Sequence, residues 1–315
     1  MSAPPQHLPA TVPPPRTQDG RSVVVLGMHR SGTSVVTRVI SLLGLRLCRP
    51  DDLYTAPDNP TGHWESISLV AVNDRLLRQA GGTFTAPPDL PDGWERQPVA
   101  TAAAERARAV FGYAYPTGPW VWKDPRTCLT LPFWRAVLPD DLVAVYVHRE
   151  PLEVAASLAR REGLGKARAI AMWERYARSG LRAAAGLPVA VVRFQDLLAG
   201  PEAAAGRIMT QLAELGVAVT GDVSTAARAV SRDLPASRRP GLTLAGDRDA
   251  TAAQCSLLAA IDALPATAGR FAPPDLGAES SSTTELLTAL RACVGRAGPA
   301  RTTRMVRLIR HMTHI

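Results

Sequence analysis

The sequence is poor in cysteine and in lysine. Its 315 residues contain four widely spaced cysteines, Cys48, Cys128, Cys255 and Cys293. They form no CxxC or CxH pair, which favours separate reduced thiols over a disulfide framework or a zinc site. Lysine occurs only at Lys123 and Lys166. Because arginine supplies nearly all of the positive charge, a lysine inside a motif is a candidate for a specific role.

Long apolar runs and a secretory signal are also missing. No stretch of 18 or more residues is both strongly apolar and free of charge, so we expect no membrane-spanning helix. Residues 1–21 hold six prolines in the first fifteen positions and no basic segment followed by an apolar run. This composition predicts a disordered leader rather than a signal peptide. We therefore expect a soluble, cytoplasmic protein.

The formal net charge of +8 raises the question of nucleic-acid binding. The excess comes from arginine in a chain that is also rich in alanine, proline and glycine, which indicates compositional bias as much as a phosphate-binding surface. We expect no nucleic-acid partner. With 46% apolar and 20% charged residues, the chain has enough apolar material for one sizeable core.

The hydrophobic pattern alternates short buried strands with amphipathic helices. Apolar, β-branched runs predict strands at 23–26, 120–122, 142–147 and 189–194, and helical spacing predicts helices at 35–43, 66–79, 101–111, 151–161, 167–185 and 201–215. Such alternation predicts an α/β fold in which ligands bind at the carboxyl ends of parallel strands. We expect a domain over 22–270, followed by an irregular, basic tail over 271–315.

A glycine-bounded loop follows the first predicted strand and leads into a helix. It reads Gly27-Met28-His29-Arg30-Ser31-Gly32-Thr33-Ser34. The two glycines and the final hydroxyl fit the Walker A spacing, but Thr33 stands where that motif has lysine. Backbone amides and the helix N-terminus can still bind an anion. A tight turn without a ligand is the simpler alternative; the two cations and three hydroxyls favour a phosphate-like ligand.

This loop resembles the 5′-phosphosulfate loop of sulfotransferases that use 3′-phosphoadenosine 5′-phosphosulfate (PAPS), in which a basic residue precedes Ser-Gly-Thr. Arg30 occupies the basic position. The resemblance implies the P-loop-type parallel sheet flanked by helices of the sulfotransferase fold, PAPS as donor and no metal. It also implies that the donor is bound by Met28, His29, Arg30, Ser31, Gly32, Thr33 and Ser34.

The same family binds the 3′-phosphate of the donor through an arginine at a later strand end and a serine eight residues further on. Arg149 follows the predicted strand 142–147, and Ser157 lies eight residues after it. Arginine suits a bidentate grip on a terminal phosphate. Each residue taken alone also fits a plainer role, namely a solvated surface arginine and a neutral helix serine.

A third motif supplies candidates for catalysis. Residues 59–65 read Asn-Pro-Thr-Gly-His-Trp-Glu and resemble the "GHWE" element of a bacterial branch of the family. The resemblance implies Glu65 as general base, with His63 as the alternative; Glu65 also fits a carboxylate placed by a helix dipole. Lys123, at a strand end, is a candidate cation beside the transferred group, and Arg30 a candidate for stabilising the leaving group.

The resemblance therefore implies transfer of a sulfuryl group to a hydroxyl or amine of a small molecule, carbohydrate or lipid. Two alternatives remain open. One is a P-loop kinase, which the missing Walker lysine disfavours. The other is a non-enzymatic module that binds an anion or a partner. The basic C-terminal tail is a candidate for weak contact with a membrane surface or a partner.

Overall fold

The computed structural model describes residues 20–54, 62–138, 141–233 and 243–296. Within them, one five-stranded sheet has the order β2-β1-β3-β4-β5. The strands are β1 Ser22–Leu26, β2 Val121–Lys123, β3 Leu142–His148, β4 Val189–Arg193 and β5 Thr267–Ala268. The first four are parallel, which confirms the predicted α/β class, and the two-residue β5 pairs antiparallel with β4 at the edge.

Helices cover both faces of this sheet. They are α1 Thr33–Leu42, α2 Ile67–Gln79, α3 Pro98–Ala114, α4 Thr127–Val137, α5 Pro151–Glu162, α6 Lys166–Ala183, α7 Phe194–Ala199, α8 Pro201–Glu214, α9 Val223–Asp233, α10 Ala252–Asp262 and α11 Ser281–Arg296. The predicted strands and helices are confirmed to within three residues. In the part of the chain that the structure describes, no helix combines the length and apolar character needed to cross a bilayer.

Two apolar layers form because successive strand residues point to opposite faces. Val23 and Val25 of β1 pack with α1, α8 and α9 on one face. Val24 and Leu26 of the same strand pack with α3, α4 and α6 on the other. All five β1 residues are buried, as expected for a strand covered on both sides.

Local signals account for several helix boundaries. Proline stands at or next to the first position of α3, α5 and α8, where its missing N–H costs no hydrogen bond. Thr251 and Gln254 form a reciprocal capping box at the start of α10. Gly163 ends α5 in the left-handed conformation that glycine adopts without strain.

The connections between strands determine where a ligand can bind. The chain passes from β1 to β2 on one side and then crosses to β3 on the other side of β1. The carboxyl ends of β1 and β3 therefore flank a topological switch point, where open α/β sheets leave a crevice. The loop 27–32 and Arg149 both lie at this edge.

The segment expected to be an irregular tail is helical over Ser281–Arg296, which corrects that expectation. A tertiary contact holds the start of α11. The buried carboxylate of Glu174 on α6 accepts hydrogen bonds from Ser280 and Thr283 at 2.6 and 2.7 Å, and from Gln254 of α10 at 3.1 Å. The same carboxylate binds Arg178 at 3.0 Å. The remaining tail residues, 297–315, lie outside the described residues.

Replacing this carboxylate tests the packing of the C-terminal helices. Glu174→Ala leaves Arg178 buried without its ion-pair partner, so we expect the free energy of unfolding to fall by about 3–5 kcal/mol. Urea denaturation followed by circular dichroism measures the change. The exposed Glu202→Ala on α8 is the control and should change stability by less than about 0.5 kcal/mol. Similar small effects of both variants would contradict the stabilising role of Glu174.

Candidate functional site

The loop between β1 and α1 makes two turns that require glycine. Gly27 and Gly32 have φ angles of 152° and 92°. A Cβ on Gly27 would lie 2.8 Å from the carbonyl oxygen of Val147, and one on Gly32 would overlap the ring of Phe194. The Gly27 amide also donates to the buried Cys128 Sγ at 3.1 Å. The loop is thereby packed tightly between the ends of β3 and β4.

This packing leaves the N-terminus of α1 facing the crevice. Gly32 is the N-cap, and no side chain of the described residues caps the helix. The first amides of a helix have no intrahelical partner, so they are available to an anion. Within the loop, Ser31 donates its amide to the Met28 carbonyl at 3.1 Å, and the side chains of Met28, Ser31 and Thr33 are buried.

Arg30 and Arg149 face the same cleft. Arg30 Nε donates to Ser157 Oγ at 3.0 Å. Arg149 Nη1 donates to the Arg30 carbonyl at 3.1 Å, and its guanidinium lies 4.4 Å from the centre of the Phe194 ring. Glu153, one turn into α5, fixes the other side of Arg149 through Nε at 2.9 Å. The two motifs predicted from the sequence are therefore in direct contact.

Burial and neighbouring positive charges in this cleft both disfavour the charged form of Arg30. Burial lowers the pKa of Arg30 to about 10, and repulsion from Arg161 and Arg149 contributes. Burial also raises the pKa of Glu162, although Arg161 and Arg30 act in the opposite direction. Arg30 stays protonated at neutral pH but is held beside like charges. A bound anion would relieve this repulsion.

Lys123 and Glu65 form a buried ion pair beside the loop. Lys123 at the end of β2 and Glu65 just before α2 are 1% and 8% exposed. Lys123 Nζ lies 2.5 Å from Glu65 Oε1 and 3.1 Å from Ser34 Oγ. The pair thus connects three separate segments of the chain at the crevice. Sequence reasoning selected both residues but did not predict that they are partners.

The neighbouring Asp124 contacts Asn73 and Arg126. Its carboxylate accepts from Arg126 at 3.0 Å and from Asn73 of α2 at 2.8 Å. Arg126 in turn binds Asp74 through Nε at 2.6 Å. Asp124 therefore joins the end of β2 to α2 and supports the segment that carries Lys123.

The two histidines lie in different environments. His63 Nε2 is 3.0 Å from Arg161 Nη2, and the His63 carbonyl accepts from Ser34 Oγ at 3.3 Å. The ring of His29 packs against Phe84 and Tyr176, with centroids 5.1 and 5.5 Å away. Burial lowers the pKa of both rings, and the charges of Arg126 and Lys123 lower that of His29 further. Both imidazoles are therefore neutral at pH 7.

Three residues of the site were not predicted: Phe194, Glu153 and Arg161. Phe194 directly follows β4, so its place at the carboxyl edge of the sheet was a signal available in the sequence. Glu153 stands four residues after Arg149 on a predicted helix, which is the spacing of an ion pair. Nothing in the local sequence indicates that Arg161 reaches His63.

Comparison with known proteins identifies the family. The model of the sulfotransferase family matches residues 22–215, more than half of the chain. The chain belongs to the sulfotransferase family. No curated protein matches it. Within the described residues, no group of His, Cys, Asp and Glu side chains is arranged to hold a metal ion.

Three solved structures are similar to this sulfotransferase. STF9 from Mycobacterium avium is 16% identical in sequence, with a TM-score of 0.39; the match covers 71% of this chain and 69% of STF9. STF1 from Mycobacterium tuberculosis H37Rv is 18% identical over 67% and 72%, with a TM-score of 0.40. The sulfotransferase domain of the Synechococcus PCC 7002 olefin synthase is 16% identical over 88% and 98%, with a TM-score of 0.37.

The close approach of Gly32 to Phe194 predicts a large effect of adding one methyl group. Gly32→Ala combines a left-handed backbone with overlap of the aromatic ring, so we expect a stability loss of about 2–5 kcal/mol in urea denaturation. Gly81→Ala is the matched control, because Gly81 has a φ of 75° but the described part of the chain places no atom within 4 Å of the added Cβ. It should lose only the backbone share, about 1–2 kcal/mol. Equal losses would show that the Phe194 contact is unimportant.

Proposed function

We propose that this sulfotransferase moves a sulfuryl group from PAPS to a hydroxyl or amine of a small-molecule, carbohydrate or lipid acceptor. The contact of Arg30 with Ser157 and Arg149 carries the proposal. A donor with a 5′-phosphosulfate and a 3′-phosphate needs two anion sites in one cleft. Arg30 and Arg149, at the ends of neighbouring strands β1 and β3, supply them.

The donor would bind with its 5′ end at the loop. The backbone from Met28 to Ser34, the side chain of Arg30 and the start of α1 would hold the phosphosulfate. Arg149 and Ser157 would hold the 3′-phosphate, with the Ser157 hydroxyl turning from Arg30 to the ligand. The predicted donor contact of the His29 ring stays a prediction.

The transfer is an in-line displacement at sulfur. The acceptor oxygen or nitrogen forms a bond to sulfur, while the bond from sulfur to the bridging phosphate oxygen breaks and leaves 3′,5′-adenosine bisphosphate. Arg30 and the loop amides stabilise the negative charge that develops on this oxygen. Aligning the acceptor with this bond accounts for much of the rate enhancement.

Glu65 is the proposed general base. It takes the proton that the acceptor loses as the new bond forms. Lys123, 2.5 Å from the carboxylate, orients it and adds positive charge next to Ser34 and the loop. His63, whose Nε2 lies 3.0 Å from Arg161 Nη2, is the alternative base.

Donor binding is tested by calorimetry with 3′,5′-adenosine bisphosphate. We expect micromolar affinity for the wild type and a loss of about 1.5–3 kcal/mol, roughly 10–150-fold, for Arg149→Ala, because a charge-assisted contact with the 3′-phosphate is lost. The control is Arg228→Ala on α9, which should bind like the wild type. No affinity in the wild type would reject PAPS, and magnesium-dependent ATP turnover would support the kinase alternative instead.

The base is tested by replacing its carboxylate with an amide of the same shape. Glu65→Gln should lower turnover with PAPS about a hundredfold or more while adenosine bisphosphate affinity stays within twofold. Thermal melting checks that the variant folds with Lys123 unpaired. His63→Gln, assayed in parallel, should keep most of its activity. An active Glu65→Gln and an inactive His63→Gln would transfer the role to His63.

A further inference from the structure

An apolar groove runs between α2 and α3, outside the site described above. Both Ser68 at the start of α2 and Tyr113 near the end of α3 bind the turn at Asp51 and Asp52, so the two helices are antiparallel. The groove has a volume of about 310 Å³. From Ser68 to Gln79 it extends over three helical turns, about 16 Å.

The walls of this α2–α3 groove are small and apolar. Val72 and Leu76 of α2 face Ala103 and Ala107 of α3 across it. Val99, at the other end, is 56% exposed. Packed helices lie about 8–10 Å apart, and small side chains at the contact allow the shorter distances. Pockets for small molecules enclose most of the ligand surface, whereas this groove is open along its length. It therefore suits a helix that lies along it.

The polar rim of the groove is positive. Arg75 and Arg106 line it from opposite sides, and both are exposed. Among the described residues neither has an ion-pair or hydrogen-bond partner, in contrast to Arg126 and Arg149. The acidic residues at the Tyr113 end are already engaged, because Asp51 binds Arg49 at 3.1 Å and Asp52 accepts from Ser68 at 2.6 Å.

Charge discriminates between the possible occupants. A second copy docked groove to groove by a two-fold axis would bring the Arg75 and Arg106 side chains of both copies together at one interface, which is repulsive. The C-terminal residues 297–315 carry four arginines and no acidic residue, so they are repelled as well. A partner that carries negative charges beside an apolar face would complement both the apolar groove and its positive rim.

We propose that the α2–α3 groove docks an acidic amphipathic helix of a partner protein. Apolar side chains spaced three and four residues apart would fill the groove between Val72 and Ala107. Acidic side chains flanking them would pair with Arg75 and Arg106. Because α2 begins two residues after Glu65, the partner would rest on the helix that follows the Glu65–Lys123 pair.

A synthetic peptide tests the surface on the full-length chain. The probe is a fluorescein-labelled 16-residue helix with leucines at three- and four-residue spacing and flanking glutamates; a second peptide carries lysines in place of the glutamates. Fluorescence anisotropy in 150 mM salt measures binding. We expect the glutamate peptide to bind at least about tenfold more tightly than the lysine peptide, and the double variant R75E/R106E to lose at least about tenfold in affinity.

Two variants separate a specific groove from general attraction to a basic protein. R228E/R270E makes the same change in net charge at exposed arginines elsewhere and should bind within about twofold of the wild type. Ala103→Trp fills the groove without changing charge and should also weaken binding about tenfold. Circular dichroism confirms that each variant is folded.

Several results would overturn the proposal. Equal binding of both peptides, or an equal loss in R75E/R106E and R228E/R270E, would show only non-specific attraction. A wild-type dimer in sedimentation equilibrium that Ala103→Trp converts to a monomer would assign the groove to a second copy. Displacement of the glutamate peptide by a synthetic peptide of residues 297–315 would assign it to the chain's own C-terminus.

Discussion

Two arginines held close together in one cleft are the feature on which the rest of the site depends. Arg30 and Arg149 come from loops after different strands, and the hydrogen bond from Arg149 to the Arg30 carbonyl is 3.1 Å long. Their mutual repulsion opposes folding, and burial of Arg30 adds to that cost. The parallel sheet provides the compensating constraint, because β1 and β3 pair over five residues and hold both loops at one edge. A site built in this way is suited to bind negative charge.

The buried pair of Lys123 and Glu65 is a second case in which the fold holds charged side chains from distant segments close together. Burying a lysine is costly unless a carboxylate accompanies it, and here the carboxylate comes from a segment 58 residues away in the chain. Ser34 joins the pair to the start of α1. Asp124, which binds Arg126 and Asn73, fixes the end of β2 next to α2. The proposed chemistry needs a cation, a carboxylate and an anion-binding helix terminus within one crevice, and this network brings them together.

Much of the fold was predictable, whereas Phe194, Glu153 and Arg161 of the candidate site were not predicted. The strand at 23–26 and the glycine-bounded loop were identified from local spacing, because backbone sterics and strand burial act over a few residues. Arg149 after β3 was identified through the resemblance to the family. The partners of these residues were not predicted. Glu65 with Lys123, Phe194 under Arg149, and Arg161 beside His63 are contacts between distant segments. The order of α11 likewise depends on Glu174, a residue about a hundred positions earlier.

The sequence by itself determined the alternation of strands and helices, the loop that leaves amides free at the start of α1, and the residue types available for anion binding. These follow from local conformational preference and hydrophobic period. Only the tertiary structure decided that Arg30 contacts Ser157 and Arg149, that Glu65 pairs with Lys123, and that Arg75 and Arg106 border a common groove. These contacts join residues that are far apart in the chain, so they depend on how the strands are ordered and how the helices pack. Electrostatic and hydrogen-bond energies depend on the distance between groups in space, which the sequence does not state.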